Sequence, residues 1–148
     1  MLSSEYYRYS RNISFASAIS LRQRKKIFDL FMDAFKPDKN TKVLDVGVTC
    51  GSDFRESNFF EEYYPYPKNV TCVGTEDGSY LERAGKCGKF IRVKPDERLP
   101  FVDKEFDIVF SNAVLEHVGN DERRERFVSE ICRVGGKYFV SVPYRWFP

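Results

Sequence analysis

Three carboxylate positions and one imidazole carry most of the chemical potential in this sequence. Asp45 sits in Lys42–Ser52, KVLDVGVTCGS, where Val43, Leu44 and Val46 make a short apolar run of the kind covered on both faces of a parallel sheet. A carboxylate buried there is costly unless hydrogen-bonded, so Asp45 is expected to pair with loop amides or a ligand. Gly47 and Gly51 then allow a ligand closer to the backbone than a Cβ would, and Thr49 between them offers a hydroxyl. Glu76 and Asp77 follow a second apolar run, VTCVGT. A carboxylate at that position has two oxygens to match a vicinal diol, which makes Glu76 the candidate for a ribose; helix capping by Asp77 or Ser79 is the alternative use of this acidic corner. His117 is the only histidine, able to take a proton from an oxygen or nitrogen near neutral pH or to serve as a structural hydrogen-bonding group. The four cysteines show no CxxC spacing, and with one histidine they make no metal set. Cys72 and Cys132 read as small hydrophobes in a reducing compartment, whereas Cys50, inside the glycine loop, is either reactive or inert.

The elements that must position these groups follow from periodicity. Residues 1–41 are expected to form an arm, carrying Tyr6, Tyr7, Tyr9 and Phe15, followed by an amphipathic helix over 21–35 that starts at a Ser20/Gln23 capping box and stops before Pro37. Its stripe is Ile27, Leu30, Phe31, Ala34 and Phe35. From residue 42 to 148, strands are expected at 43–46, 70–75, 89–93, 106–111 and 137–142. A short aromatic helix lies over 56–64, and a longer one begins at Asn120, burying Phe127, Val128, Ile131 and Val134. The 148 residues suit one globular unit, and a formal net charge of +2 is too small to imply nucleic acid by bulk electrostatics. No apolar run reaches the about 20 residues a membrane helix needs, and no secretion signal is evident, so a cytoplasmic chain is expected.

The order Asp45, Gly47, Thr49, Gly51 resembles the DxGxGxG signature of class I S-adenosylmethionine-dependent methyltransferases, with Thr49 at the middle glycine. Three further segments match in order: the acid after the second strand, the passage KPDERLPFVDKEFD, and FDIVFSNAVLEHV, which closely resembles the small "type 11" members. The resemblance implies an α/β Rossmann-like fold, mainly parallel, with helices on both faces and about five strands in the order 3-2-1-4-5. Relatives of this type continue past PYRWFP, so it also implies a C-terminally truncated sheet whose edge a partner or second copy would cover. The implied cofactor is S-adenosylmethionine. Its carboxylate would lie over Asp45–Gly51 and its ribose on Glu76, with Asp77 adjacent; its adenine amino group would meet Asp96, Glu97 or backbone, and its methyl end would meet Asn112 and Ala113. The methyl would face His117, Tyr144 and the N-terminal aromatics. The implied activity is direct in-line methyl transfer to an unidentified small-molecule or glycolipid acceptor, without nucleic acid. The alternative is a SAM-fold domain impaired in catalysis that binds or assembles, suggested by Thr49 and the absent strands. A dehydrogenase is disfavoured because no GxGxxG occurs.

Overall fold

The computed structural model describes residues 4–51 and 57–143, with side chains from residue 18 onward. Tyr6, Tyr7, Tyr9, Phe15 and Tyr144 as ligand-facing aromatics therefore lie outside the described side chains. Five parallel strands, β1 (Val43–Val46), β2 (Val70–Gly74), β3 (Lys89–Arg92), β4 (Phe106–Asn112) and β5 (Gly135–Ser141), form one sheet in the order β3-β2-β1-β4-β5. That is the order the resemblance implied. β1 is central and wholly buried, with Asp45 opposite Cys72 on one side and Phe110 on the other. Side chains alternate across a strand, so Val43 and Asp45 face one layer while Leu44 and Val46 face the other.

The first layer is aromatic. Helix α1 (Ser4–Phe35) and the short helix α2 (Phe59–Tyr63) bring Phe31, Phe59 and Phe60 onto Phe110, with Phe28 against Phe60; the Phe110 ring stacks on Phe60 at 4.4 Å and on Phe139 at 5.6 Å. Helix α1 begins at Ser4 rather than near Leu21, because no glycine or proline interrupts residues 4–35; Ser20 is interior, its hydroxyl accepting from Arg24. The helix stops where Lys36 adopts a left-handed conformation (φ 47°) and returns its N–H to the Met32 carbonyl, just before Pro37. Leu30 projects outward from the expected stripe, 60% exposed. Leu30 lies about 100° round the helix from Phe31, at the margin of the stripe that packs on the sheet.

The opposite layer is built by α4 (Asp121–Val134), capped by Asn120, whose side chain accepts the Arg123 N–H. Ile131 and Val134 are fully buried against Leu44, Val73, Phe106 and Val109. Val128 stays partly exposed because it lies at the margin of that contact stripe. Helix α3 (Tyr80–Arg83) is a single turn. Among the described residues no helix is long and apolar enough to cross a membrane.

Candidate functional site

A cavity of about 720 Å³ opens at the carboxyl ends of β1, β2, β3 and β4 on the α4 side of the sheet. This is where parallel α/β sheets bind ligands, since the loops leaving neighbouring strands diverge there. Its floor is apolar, formed by Val46, Val73, Val93, Leu99, Val114 and Phe127. Of the residues expected to bind or react, Gly47, Thr49, Glu76, Asp96, Glu97, Ala113 and His117 line it, and Asp45, Gly51, Asp77 and Asn112 do not.

Each of those four has a different occupation. Asp45 is buried in the aromatic layer, where loss of water and the neighbouring Glu61 carboxyl push its pKa up; burial raises Glu61 as well. Two buried carboxyls in contact cannot both ionise cheaply, so they share a proton. Glu61 Oε1 also accepts from the Cys72 thiol at 3.2 Å. Asp45 thus pairs with another acid, not with loop amides, because β1's alternation turns it away from the cavity. Asp77 accepts the Ser79 N–H at 3.0 Å, the turn-capping use, which holds its carboxyl below the usual range. Asn112 accepts from the Ser141 hydroxyl at 2.6 Å and joins β4 to β5. The Gly51 carbonyl accepts a long bond from the Tyr80 hydroxyl, at 3.5 Å.

The glycine loop departs from expectation in a second way. The N–H groups of Gly47 and Val48 both donate to Val73 O, at 2.8 and 3.1 Å; Thr49 N–H donates to Asn58 Oδ1 at 3.0 Å, and Cys50 N–H to Glu76 Oε2 at 3.1 Å. Four consecutive amides of the loop over which the resemblance placed the cofactor's carboxylate are thus satisfied within the chain. The Cys50 thiol bonds Glu76 too, which raises the thiol pKa and lowers that of Glu76. Cys50 is therefore held as a thiol, the less reactive of its two expected states. Gly47 is at φ +108°, and a Cβ there would come within 2.1 Å of Val114 Cγ2.

Around the rim, Asp96 pairs with Arg123 of α4 at 3.4 Å and Glu97 with Lys94 at 3.4 Å. Asp96 (φ 64°) and Ala113 (φ 56°) both hold left-handed backbone, a strain that persists only where surrounding contacts impose it. Ala113 is imposed by its N–H to Ser141 O, 2.9 Å. His117 ends a 3-10 turn at the rim, its side chain 79% exposed and 3.8 Å from Glu116 Oε1.

Sequence reasoning missed the support behind this site. Arg133 donates to Glu130 (2.8 and 2.7 Å), Leu99 O (3.0 Å) and Phe101 O (2.7 Å), while Glu130 accepts Leu99 N–H at 2.8 Å. Together they fasten the Leu99–Phe101 turn under the cavity. The i,i+3 spacing of Glu130 and Arg133 was readable, but it could not reveal the distant turn. Ser111, whose hydroxyl reaches Val46 O at 3.0 Å, and Asn58 with Tyr80 were likewise unmarked.

Comparison with known proteins places this geometry. The family described as "Methyltransferase domain" matches residues 44–140. A mouse protein named probable tRNA methyltransferase 9B is 29% identical over 112 residues, 73% of this chain and 23% of its own. A solved structure of a Pyrococcus horikoshii protein superposes with a TM-score of 0.60 at 24% identity, covering 81% of this chain and 57% of that one. A SAM-dependent methyltransferase from Aquifex aeolicus superposes at 0.52 with 15% identity, covering 73% and 57%. This chain thus spans about a quarter of the length of the curated relatives it matches.

Proposed function

The chain belongs to the methyltransferase domain family of class I S-adenosylmethionine-dependent enzymes, and from that premise we propose that its cavity binds S-adenosylmethionine and that the protein transfers the methyl group to an acceptor. The observation that carries the proposal is the convergence of Gly47, Thr49, Glu76 and Ala113, from three different strand ends, on one apolar-floored cavity. The cavity lies within the roughly 300–1,000 Å³ range typical of ligand sites, and the residues present fit the cofactor. Glu76 stands where a ribose diol can donate to it, and the Val46, Val73, Val93 and Leu99 floor suits a purine ring. The Thr49 hydroxyl serves the amino-acid end, while Asp45 stays in the aromatic layer beside Glu61, outside the cofactor's reach. Asp77 and Asn112 act through the turn and strand contacts they make; Asp96 and Glu97 edge the adenine side, with their cationic partners.

Bound S-adenosylmethionine supplies an electrophilic methyl on sulfur, so the protein's share is to orient both partners and keep water out. Glu76 accepts the Cys50 N–H on Oε2, and the carboxylate's other lone pairs can accept ribose hydroxyls without displacing that bond. His117, exposed at the rim, can accept a proton from an oxygen or nitrogen nucleophile; a His117→Ala variant with undiminished turnover at every pH removes that role. The sequence suggested a small molecule or glycolipid as acceptor. The mouse relative's name adds tRNA as a second reading; Lys94, Arg98, Arg123 and Arg126 line the cavity, each paired with a carboxylate (Glu97, Asp103, Asp96 and Glu122) for which a phosphate would compete.

Calorimetry with S-adenosylmethionine and S-adenosylhomocysteine tests the cofactor. Micromolar binding followed by methyl incorporation into either a lipid and small-molecule panel or total tRNA supports the enzyme and chooses its acceptor class. Binding without turnover on any acceptor favours the impaired binding domain, and no binding of either nucleoside refutes the proposal.

A further inference from the structure

Asn58 precedes α2 at the position where asparagine ordinarily accepts an N–H from its own helix, yet its side chain makes no such bond. Instead it reaches nine residues back. Its Oδ1 accepts Thr49 N–H at 3.0 Å and its Nδ2 donates to Thr49 O at 2.9 Å, so one side-chain amide grips both polar groups of a single loop residue. The same Nδ2 donates to the Tyr80 hydroxyl at 2.6 Å, and that hydroxyl lies 3.5 Å from Gly51 O. Asn58 holds a left-handed φ of 53°, a conformation asparagine tolerates at modest cost when hydrogen bonds repay it. Asn58 and Tyr80 do not line the cavity, whereas Thr49 does.

We propose that Asn58, backed by Tyr80, is a positioning residue that fixes the glycine loop at Thr49 and thereby sets the affinity for the amino-acid end of the cofactor. The inference rests on the functional reading above. Thr49 occupies a spacing at which a loop of glycines would fold without a side chain, and glycine's freedom is what Thr49 lacks. A bidentate amide clamp supplies from outside the conformational definition of that residue, and leaves its hydroxyl directed by a fixed backbone. Preorganisation of this kind raises affinity by removing the ordering cost from the binding step.

The test compares two ligands that differ in the part the loop would hold: S-adenosylhomocysteine, and 5′-methylthioadenosine, which lacks the amino-acid group. Asn58→Gly keeps the left-handed backbone and deletes the clamp. It is expected to weaken S-adenosylhomocysteine about tenfold or more, the loss of roughly one to two net hydrogen bonds, while methylthioadenosine affinity stays within about twofold. Tyr80→Phe should shift the ratio of the two affinities in the same direction by less, and it serves as the deciding variant if Asn58→Gly does not fold. Equal weakening of both ligands marks a merely structural role and overturns the proposal, as does an unchanged ratio. If the unaltered chain binds neither nucleoside, the functional reading itself falls, an outcome distinct from normal binding by the wild type with an unchanged ratio in the variants.

Discussion

Replacing Gly47 with alanine probes the point where the loop and the strand β4 side of the cavity meet. Two separate costs are built into the position. The backbone is at φ +108°, well outside the regions L-residues favour, and the added Cβ would meet Val114 Cγ2 at 2.1 Å. The backbone part is worth about 1–2 kcal/mol and the overpacking about 1–3 kcal/mol. Their sum, about 2–5 kcal/mol, is a large share of the roughly 5–15 kcal/mol that typically holds a domain together. For a chain of this size it corresponds to a melting point lowered by about 4–20 °C. The two costs can be separated. Val114→Ala removes the colliding methyl and leaves φ untouched, so the Gly47→Ala/Val114→Ala pair should recover about 1–3 kcal/mol of the loss and no more. Urea denaturation of the four proteins measures that coupling, and calorimetry with S-adenosylhomocysteine follows the site. A Gly47→Ala variant within about 0.5 kcal/mol of wild type, or a double variant showing no coupling, refutes the reasoning.

Three other outcomes follow from the same geometry. Arg133→Ala should lose about 2–3 kcal/mol in urea denaturation by unfastening the Leu99–Phe101 turn, and Arg133→Lys should not restore it, since one ammonium cannot reproduce the forked contacts to Glu130 and two carbonyls; full recovery by lysine contradicts this. The Asp45–Glu61 pair has folded pKa values above those of the unfolded chain, so it retains a proton that unfolding releases once pH exceeds about 4. Its contribution is fully present below that value and lost as pH rises through the folded pKa; thermal melts should therefore decline with rising pH, and Asp45→Asn should flatten the slope. A variant whose pH profile parallels the wild type counts against the shared proton. Ala113→Gly should raise stability by up to about 1 kcal/mol by relieving a left-handed alanine, read as a higher urea midpoint at constant slope; a lower midpoint would show that Ala113's side chain matters more than its φ.

The strands, the capped helix α4 and the cavity's location were legible in the chain because local information suffices for them. A short run such as Val43–Val46, mostly apolar, suits a strand covered on both faces, Asn120 has a side-chain amide oxygen ready for an N-terminus, and a carboxylate such as Glu76 after an apolar run belongs at a sheet's carboxyl end. Helix α1 was read too short because a capping box describes where a helix is able to start, and only a breaker would oblige it to.

What tertiary structure decided is which partner each polar group takes. Asp45 and Glu76 look alike in sequence, the one an acid within an apolar run and the other an acid just after one. Strand alternation sends the first into the aromatic layer beside Glu61 and leaves the second at the cavity. The grip of Asn58 on Thr49 closes across a loop and that of Arg133 on Leu99 joins residues 34 apart, and neither bond leaves a periodicity to read. Residue type determined that hydrogen bonds would be needed; packing determined between whom, because desolvation makes each buried group take whichever partner the fold brings within about 3 Å.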